Sequence, residues 1–559
     1  MRSTHMIRRV TAAAVLALTL AACGGDDATA PEEPAVDGGA TEEAEEAAEP
    51  EWTEEDRTLI VAASGTPGSL DGDIFTANMQ ATVTNVYDQL VTYGYKDSDF
   101  EFANGAREID PDQLQGKLAE SWEVSEDGLA IDFKLREGVL SYFGNELTAA
   151  DVVWSWDKSA SQGRTGAFIG RVGNVASVEE IDTYTVRFNL NSPSPVLLAA
   201  LSIYVPSIYD STEAQTHATA DDPFAVEWLR QNTAGFGPYH LESITADEQA
   251  VFVANPNYWG EQPFFQRVIY RAVPDAANRA VLLQAGSVDY IEAPTFRQIV
   301  ELRESEGVKV QSVVGNQQAR ILMNPSFEPF DDVRVRQAIN YALDHEATLD
   351  IVFEGLSTQA KSPVTPGFAC WTGDFWVYER DLDKARELLT EAGYADGLEI
   401  ELTYSGVWWW EEPWAIQAQS QLAEAGIDVT LTRIENAEMT SRAATGTRNL
   451  PFFTFYEQSI ALDPGYALFL NSHPNGASDR NDYGKTNPEF VALVEEGNRT
   501  LDQETRCELF REAQRLHLED ASWVYGAMMG THVAQKDELN GWVWWADNNV
   551  RWYDLYRER

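Results

Sequence analysis

The sequence predicts an α/β protein. Two observations carry this. From about residue 267 onward, short apolar runs alternate with stretches of helical period. Before that, period-two runs joined by turn residues indicate sheet, with helices between them. A third observation sets the scale. The chain has 559 residues and 44% apolar content, enough for several cores.

The elements follow in order. Leu59-Ile60-Val61-Ala62 reads as a short buried strand, and Ser64 to Asp71 as a loop rich in Gly, Ser and Pro. A helix is expected over about 77–90. Ala119–Val124 and Ala130–Leu135 alternate apolar and polar residues around Glu126-Asp127-Gly128, a hairpin signal. Thr148 precedes a helix running through Trp156, with Asp151 at the third position as a short-armed capping box. Strands follow near Ala176–Ile181 and Thr185–Leu190. Then come strand Ile269–Val273, helix Asp275–Ala285 and strand Val288–Ile291. Later the order is helix Asp383–Ala392, strand Leu398–Tyr404, helix Glu412–Ala425 and strand Ile427–Leu431. Asn487–Glu496 and Gln503–Glu519 read as helices. Such alternation packs helices on sheets.

Charge narrows the function. Forty Lys+Arg face 90 Asp+Glu, a formal net charge of −50. Nucleic-acid binding depends on basic patches, so it is excluded, as is broad docking on anionic lipid. The acids are unevenly placed. Residues 24–56 hold 14 acids and no Lys or Arg, leaving 76 acids against 37 bases in 57–559. The 24–56 tract buries almost nothing and is expected to be an extended acidic tether.

Before the tether, Arg8-Arg9 lead into the apolar run Val10–Ala22. That run is shorter than the roughly 20 residues a membrane span needs. A basic start, a short apolar core and small residues before a cut form an export signal over residues 1–22. Leu20-Ala21-Ala22-Cys23-Gly24 resembles a bacterial lipobox, which implies lipidation of Cys23. Two further cysteines, Cys370 and Cys507, are either a disulfide or two separate thiols in an exported setting.

No catalytic motif is present. The seven His are scattered, and there is no G-x-S-x-G elbow, P-loop or G-x-G-x-x-G run. The expectation is binding without chemistry, with no cofactor and no metal.

Several segments carry a resemblance. They include Leu118-Ala119-Glu120-Ser121-Trp122, Phe133 to Val139 and Leu147 to Val153. Asn255-Pro256-Asn257-Tyr258-Trp259-Gly260 and Gly286-Ser287-Val288-Asp289-Tyr290 continue the series. The most specific run is Met323-Asn324 followed by Pro329 to Asp344, and Asp383–Tyr394 and Asp463-Pro464 close it. In this order they resemble the extracytoplasmic solute-binding proteins of ABC importers, the large family for dipeptides, oligopeptides, nickel complexes and some oligosaccharides.

The resemblance implies two lobes joined by a hinge. Lobe one takes about 57–275 plus 526–559, with an inserted subdomain at about 85–205, and lobe two takes 276–525. A solute sits between them, and closure presents it to a membrane permease. Arg334 and Arg336 are expected to be ion pairs of the fold. The implied protein is monomeric and held at the cell surface or periplasmic face by its lipid.

In α/β lobes, ligands lie beyond the carboxyl ends of strands. That places Tyr404 and the run Trp408-Trp409-Trp410 near the solute. Three consecutive indoles cannot all face a core, and their flat faces suit stacking. A second loop offers Tyr456, Glu457 and Gln458. Peptide-binding relatives carry an acid for the free amine near position 460, where this chain has Ile460, so Glu457 is the substitute. Thr66, Asn324 and Trp371 are further candidates. The expected ligand is a peptide, with a cello- or xylo-oligosaccharide as the alternative. An exported hydrolase is the other reading.

Overall fold

Strand β1 (Thr58–Ala63) finds its partners far along the chain. It runs parallel to Arg267–Ala272 on one side and to β2 (Tyr290–Ile291) on the other. Its Leu59, Val61, Ala62 and Ala63 are fully buried. The computed structural model describes residues 52–100, 103–163, 165–205, 207–444 and 447–558. The export signal, Cys23 and most of the acidic tether lie outside these.

Two long strands organise the sheet. β3 (Val308–Met323) and β6 (Trp523–Lys536) pair antiparallel over two stretches, with a register shift between Val313 and Gln317. Beyond the shift on one side lie β2, β1, Arg267–Ala272, Gln249–Ala254 and Tyr239–Thr245. On the other side β3 pairs with β5 (Phe452–Gln458), which leads to β4 (Leu398–Tyr404) and Ile427–Arg433. One eleven-stranded sheet is thus divided into two half-sheets that share only β3 and β6. Gly315 sits in the shift because a Cβ there would lie 2.2 Å from the Met529 carbonyl oxygen.

A separate four-stranded sheet is formed by Ala119–Val124, Ala130–Leu135, Thr185–Leu190 and Val175–Asp182. Its two central strands alternate strictly, so Ile131, Phe133 and Leu135 join Val186, Phe188 and Leu190 on one buried face. Helix Ala149–Ser161 covers that face, and Trp156 meets Phe188 at 5.2 Å between ring centres. The helix starts where the capping box sets it, with the Thr148 N–H donating to Asp151 Oδ2 at 2.8 Å.

The helix expected over 77–90 is shorter, Met79–Val86, because Tyr87 turns extended and buries its ring. Cys370 and Cys507 are joined, tying the loop after Ser357–Gln359 to helix Gln503–Glu519. One expectation is corrected. Arg334 does pair with Asp332, but Arg336 gives its donors to the carbonyls of Phe330, ahead of its own helix, and Asp520, at the end of helix Gln503–Glu519, at 2.6 and 2.7 Å.

Candidate functional site

The site forms where the two half-sheets part. β5 ends beside the shift in β3, and the segment 543–550 returns across it. Asn316 donates to the carbonyls of Ser459 (2.9 Å) and Ala546 (2.6 Å). Gln458 also donates to Ala546 O at 2.5 Å and accepts from Gln317 at 3.3 Å. Thr531 donates to Asn548 Oδ1 at 2.9 Å. These amides span the gap between the half-sheets, each able to donate and accept.

The Trp run is shaped by one buried acid. Glu411, 2% exposed, accepts from the Ser405 hydroxyl, the Trp408 N–H and the Thr454 hydroxyl. This turns the loop sharply and sends the three indoles in different directions. Trp410 is sealed in the core beside Phe353 and Trp414. Trp409 is half-buried against Phe296, 4.7 Å between ring centres. Trp408 is 37% exposed and meets Tyr456 edge-to-face at 4.2 Å. All three touch a cavity of about 280 Å³ whose far wall includes Asn548 and Asn549.

The other sequence candidates divide. Tyr404 points into the core, its hydroxyl donating to Glu412. Asn324 is fully buried, donating to Arg448 O and accepting from the Ser326 N–H, so its amide is spent on a turn. Thr66 accepts from the Asp247 N–H. Trp371 is exposed on the loop beside the disulfide, away from that cavity. Glu457 is half-buried at the end of β5 and accepts from the Gln458 N–H. Its charge acts on Arg320, whose pKa burial lowers to about 10, and on Arg480.

The electrostatics place a polar aromatic cluster here. Burial pushes the Tyr456 hydroxyl up to about 12, with Glu457 adding to the effect. Tyr204 is raised well above its ordinary value, first by burial and then by Asp547, Tyr466 and Tyr456. Tyr204 follows the four-stranded sheet, whereas Tyr456 lies in β5 and Tyr466 in the helix Pro464–Ser472 after it. Asp547 is itself held by Arg551 through two hydrogen bonds, 2.9 and 2.7 Å. Among the described residues there is no group of three or more His, Cys, Asp or Glu that could hold a metal.

Sequence reasoning missed Gln317, Asn548, Asn549 and Glu292, all on the cavity wall. Glu292 follows the Val288-Asp289-Tyr290 strand entry, so its place at a strand end was the available signal.

A model of the bacterial extracellular solute-binding proteins, family 5, matches residues 113–479. The chain is 30% identical over 476 residues to heme-binding protein A of Haemophilus influenzae, covering 81% of this chain and 83% of that one. The chain belongs to the family 5 solute-binding proteins. Family 5 proteins are the solute-binding components of ABC importers, binding proteins of the extracytoplasmic space. The dipeptide-binding protein of Escherichia coli is 27% identical over 515 residues, 87% of this chain and 92% of its own length. Among solved structures, HbpA2 of Haemophilus parasuis aligns over 90% of this chain and all of its own, with a TM-score of 0.75 and 26% identity. NikA of Brucella suis aligns over the same shares with a TM-score of 0.77 and 23% identity. The fold is therefore the two-lobed one of this family. Among the described residues no helix is long and apolar enough to cross a membrane.

Proposed function

We infer that this family 5 protein is a lipid-anchored receptor that captures a short peptide between its lobes and delivers it to the permease of an ABC importer. The observation that carries the reading is the cleft itself. Trp408, Tyr456, Glu457 and Gln458 from lobe two face a segment, 546–549, that returns from lobe one. A peptide presents planar amides that stack on indole and phenol rings, and alternating donors and acceptors that suit Gln and Asn amides. The relatives named for dipeptides and for di- and tripeptides support the same class. An oligosaccharide is not favoured. That alternative rests on three stacking indoles, and only Trp408 is open.

The lobes take about 57–275 with 526–559, and 276–525, with the inserted subdomain at about 85–205. Cys23 carries the lipid, and the acidic tether holds the body off the membrane surface. Closure follows because the solute binds the closed form better than the open one.

Native mass spectrometry of freshly purified protein, followed by thermal shifts with di- to pentapeptides and with cello- and xylo-oligomers, tests the reading. One peptide per chain and a melting temperature that rises with peptide concentration are expected. A shift only with sugars would overturn it, and release of cleaved product would favour the hydrolase. Cys23→Ala is expected to move the protein from the membrane fraction to the soluble one.

A further inference from the structure

The 280 Å³ cavity has a chemical character of its own. Among the described residues Glu292 is the one carboxyl on its wall, and no Lys or Arg lines it. The imidazole on the wall, His532, is committed. Its Nδ1 lies 2.8 Å from Ser312 Oγ and its Nε2 3.1 Å from the Leu356 carbonyl, and burial lowers its pKa to about 4. It is neutral where the protein works.

Glu292 is oriented but has no counter-ion at ion-pair distance among the described residues. Tyr270 donates to its Oε2 at 2.5 Å. Arg279, behind it, spends its guanidinium on four carbonyls, those of Val273, Pro274, Glu292 and Ala293, at 2.8 to 3.2 Å. It neither lines the cavity nor pairs with a carboxylate. Burial pushes the Glu292 carboxyl up to about 7, against the lowering effects of Tyr270 and Arg279. The site therefore offers a carboxylate short of a counter-ion next to the indoles of Trp408 and Trp409. A cation entering it gains both the ion pair and the ring faces. A neutral group gains no ion pair.

We propose that this cavity is a subsite for an organic cation of the ligand, an ammonium or guanidinium, with Glu292 as the receiving ion and Trp408 and Trp409 as its walls. The proposal rests on the peptide reading for how the cation arrives. The cation comes either from a basic side chain or from the peptide's free amine, and the two sources are separable.

Isothermal titration of the mature chain and of Glu292→Gln tests it, with Ala-Lys-Ala, Ala-norleucine-Ala and their N-acetyl forms. Gln still accepts from Tyr270, so the variant keeps the local bond, and its far-UV circular dichroism checks the fold. The wild type is expected to favour lysine over norleucine at least tenfold, with that ratio falling to near one in Glu292→Gln. If the ratio of free to acetylated peptide collapses instead, the cation is the α-amine. Equal binding of all four peptides by the wild type, or an undiminished preference in the variant, overturns the proposal. If no peptide binds at all, the peptide reading fails. Thermal shift with n-butylammonium then decides the subsite, because a shift in wild type that Glu292→Gln loses supports it and no shift in either overturns it. Trp408→Leu is a second check and is expected to reduce the lysine preference several-fold.

Discussion

Two groups of acids in this protein meet opposite fates. At the helix covering the four-stranded sheet, Asp71 and Asp73 close on Lys158 at 2.6 and 2.7 Å, with Tyr209 and Ser159 donating to the same carboxylates and all five side chains buried. At the cleft, Glu292 and Glu457 have no cation at ion-pair distance among the described residues. Taking a charge out of water is costly unless a partner compensates it. The first group is compensated from within and holds the loop 64–75 to the inserted subdomain. The second is left for something that arrives. The pairing of an acid, more than its burial, separates fold from function here.

The largest effect expected to sharpen this contrast comes from Lys158→Met. It leaves two carboxylates facing each other without a cation and is expected to cost about 3–5 kcal/mol of stability. Chemical denaturation measures that loss. If ligand preference in the surviving folded protein changes as well, the two groups are not separate.

Removing the Cys370–Cys507 bridge comes next. It closes a loop of 137 residues in sequence, and Cys370→Ser is expected to cost about 2–4 kcal/mol. The lysine-to-norleucine ratio stays as in wild type, since neither cysteine lines the cavity.

The pH dependence of stability follows from Glu292. Its carboxyl titrates near 7 in the fold, against an ordinary value of 4.5. Below 4.5 both states are protonated. Between 4.5 and 7 the unfolded chain loses the proton and the fold keeps it, so stability falls as pH rises through that window. Glu292→Gln removes this part of the slope, an effect on the order of 2 kcal/mol between pH 4.5 and 8. Asp479, raised to about 7 by burial, contributes a slope of the same sign that the variant retains. Melting curves across pH, wild type against variant, read the difference.

The smallest effect is expected at Trp408→Ala. Its ring is over one-third exposed, so stability should change by less than about 1 kcal/mol, while peptide affinity falls about tenfold, as titration would show.

How much of this was legible in the sequence depends on how local the signal is. The strands Ala119–Val124, Ala130–Leu135 and Leu398–Tyr404 have their expected limits, because each is fixed by its own alternation and turns. β3 gave no such signal. It is shared by both half-sheets, carries Gln317, Gln318 and Arg320 inside, and gets its register from β6, some 200 residues later. The Trp run announced an excess of exposed apolar surface. Which indole stays open depends on Glu411, at the start of helix Glu411–Glu424, accepting from Ser405 and from Thr454 of β5, a tertiary contact that no spacing reveals. Glu292 offered only its place at a strand end, since its solitude on a cavity wall exists only once β2, β6 and the Trp loop are assembled.

The central claim is capture of a solute between the two lobes. Small-angle X-ray scattering of the mature chain, with and without saturating Ala-Lys-Ala, tests it directly. The account predicts a smaller radius of gyration with peptide, and a loss of that change in Gly315→Val, whose side chain meets the Met529 carbonyl at the shift in β3. An unchanged radius with peptide shown by titration to be bound would contradict it.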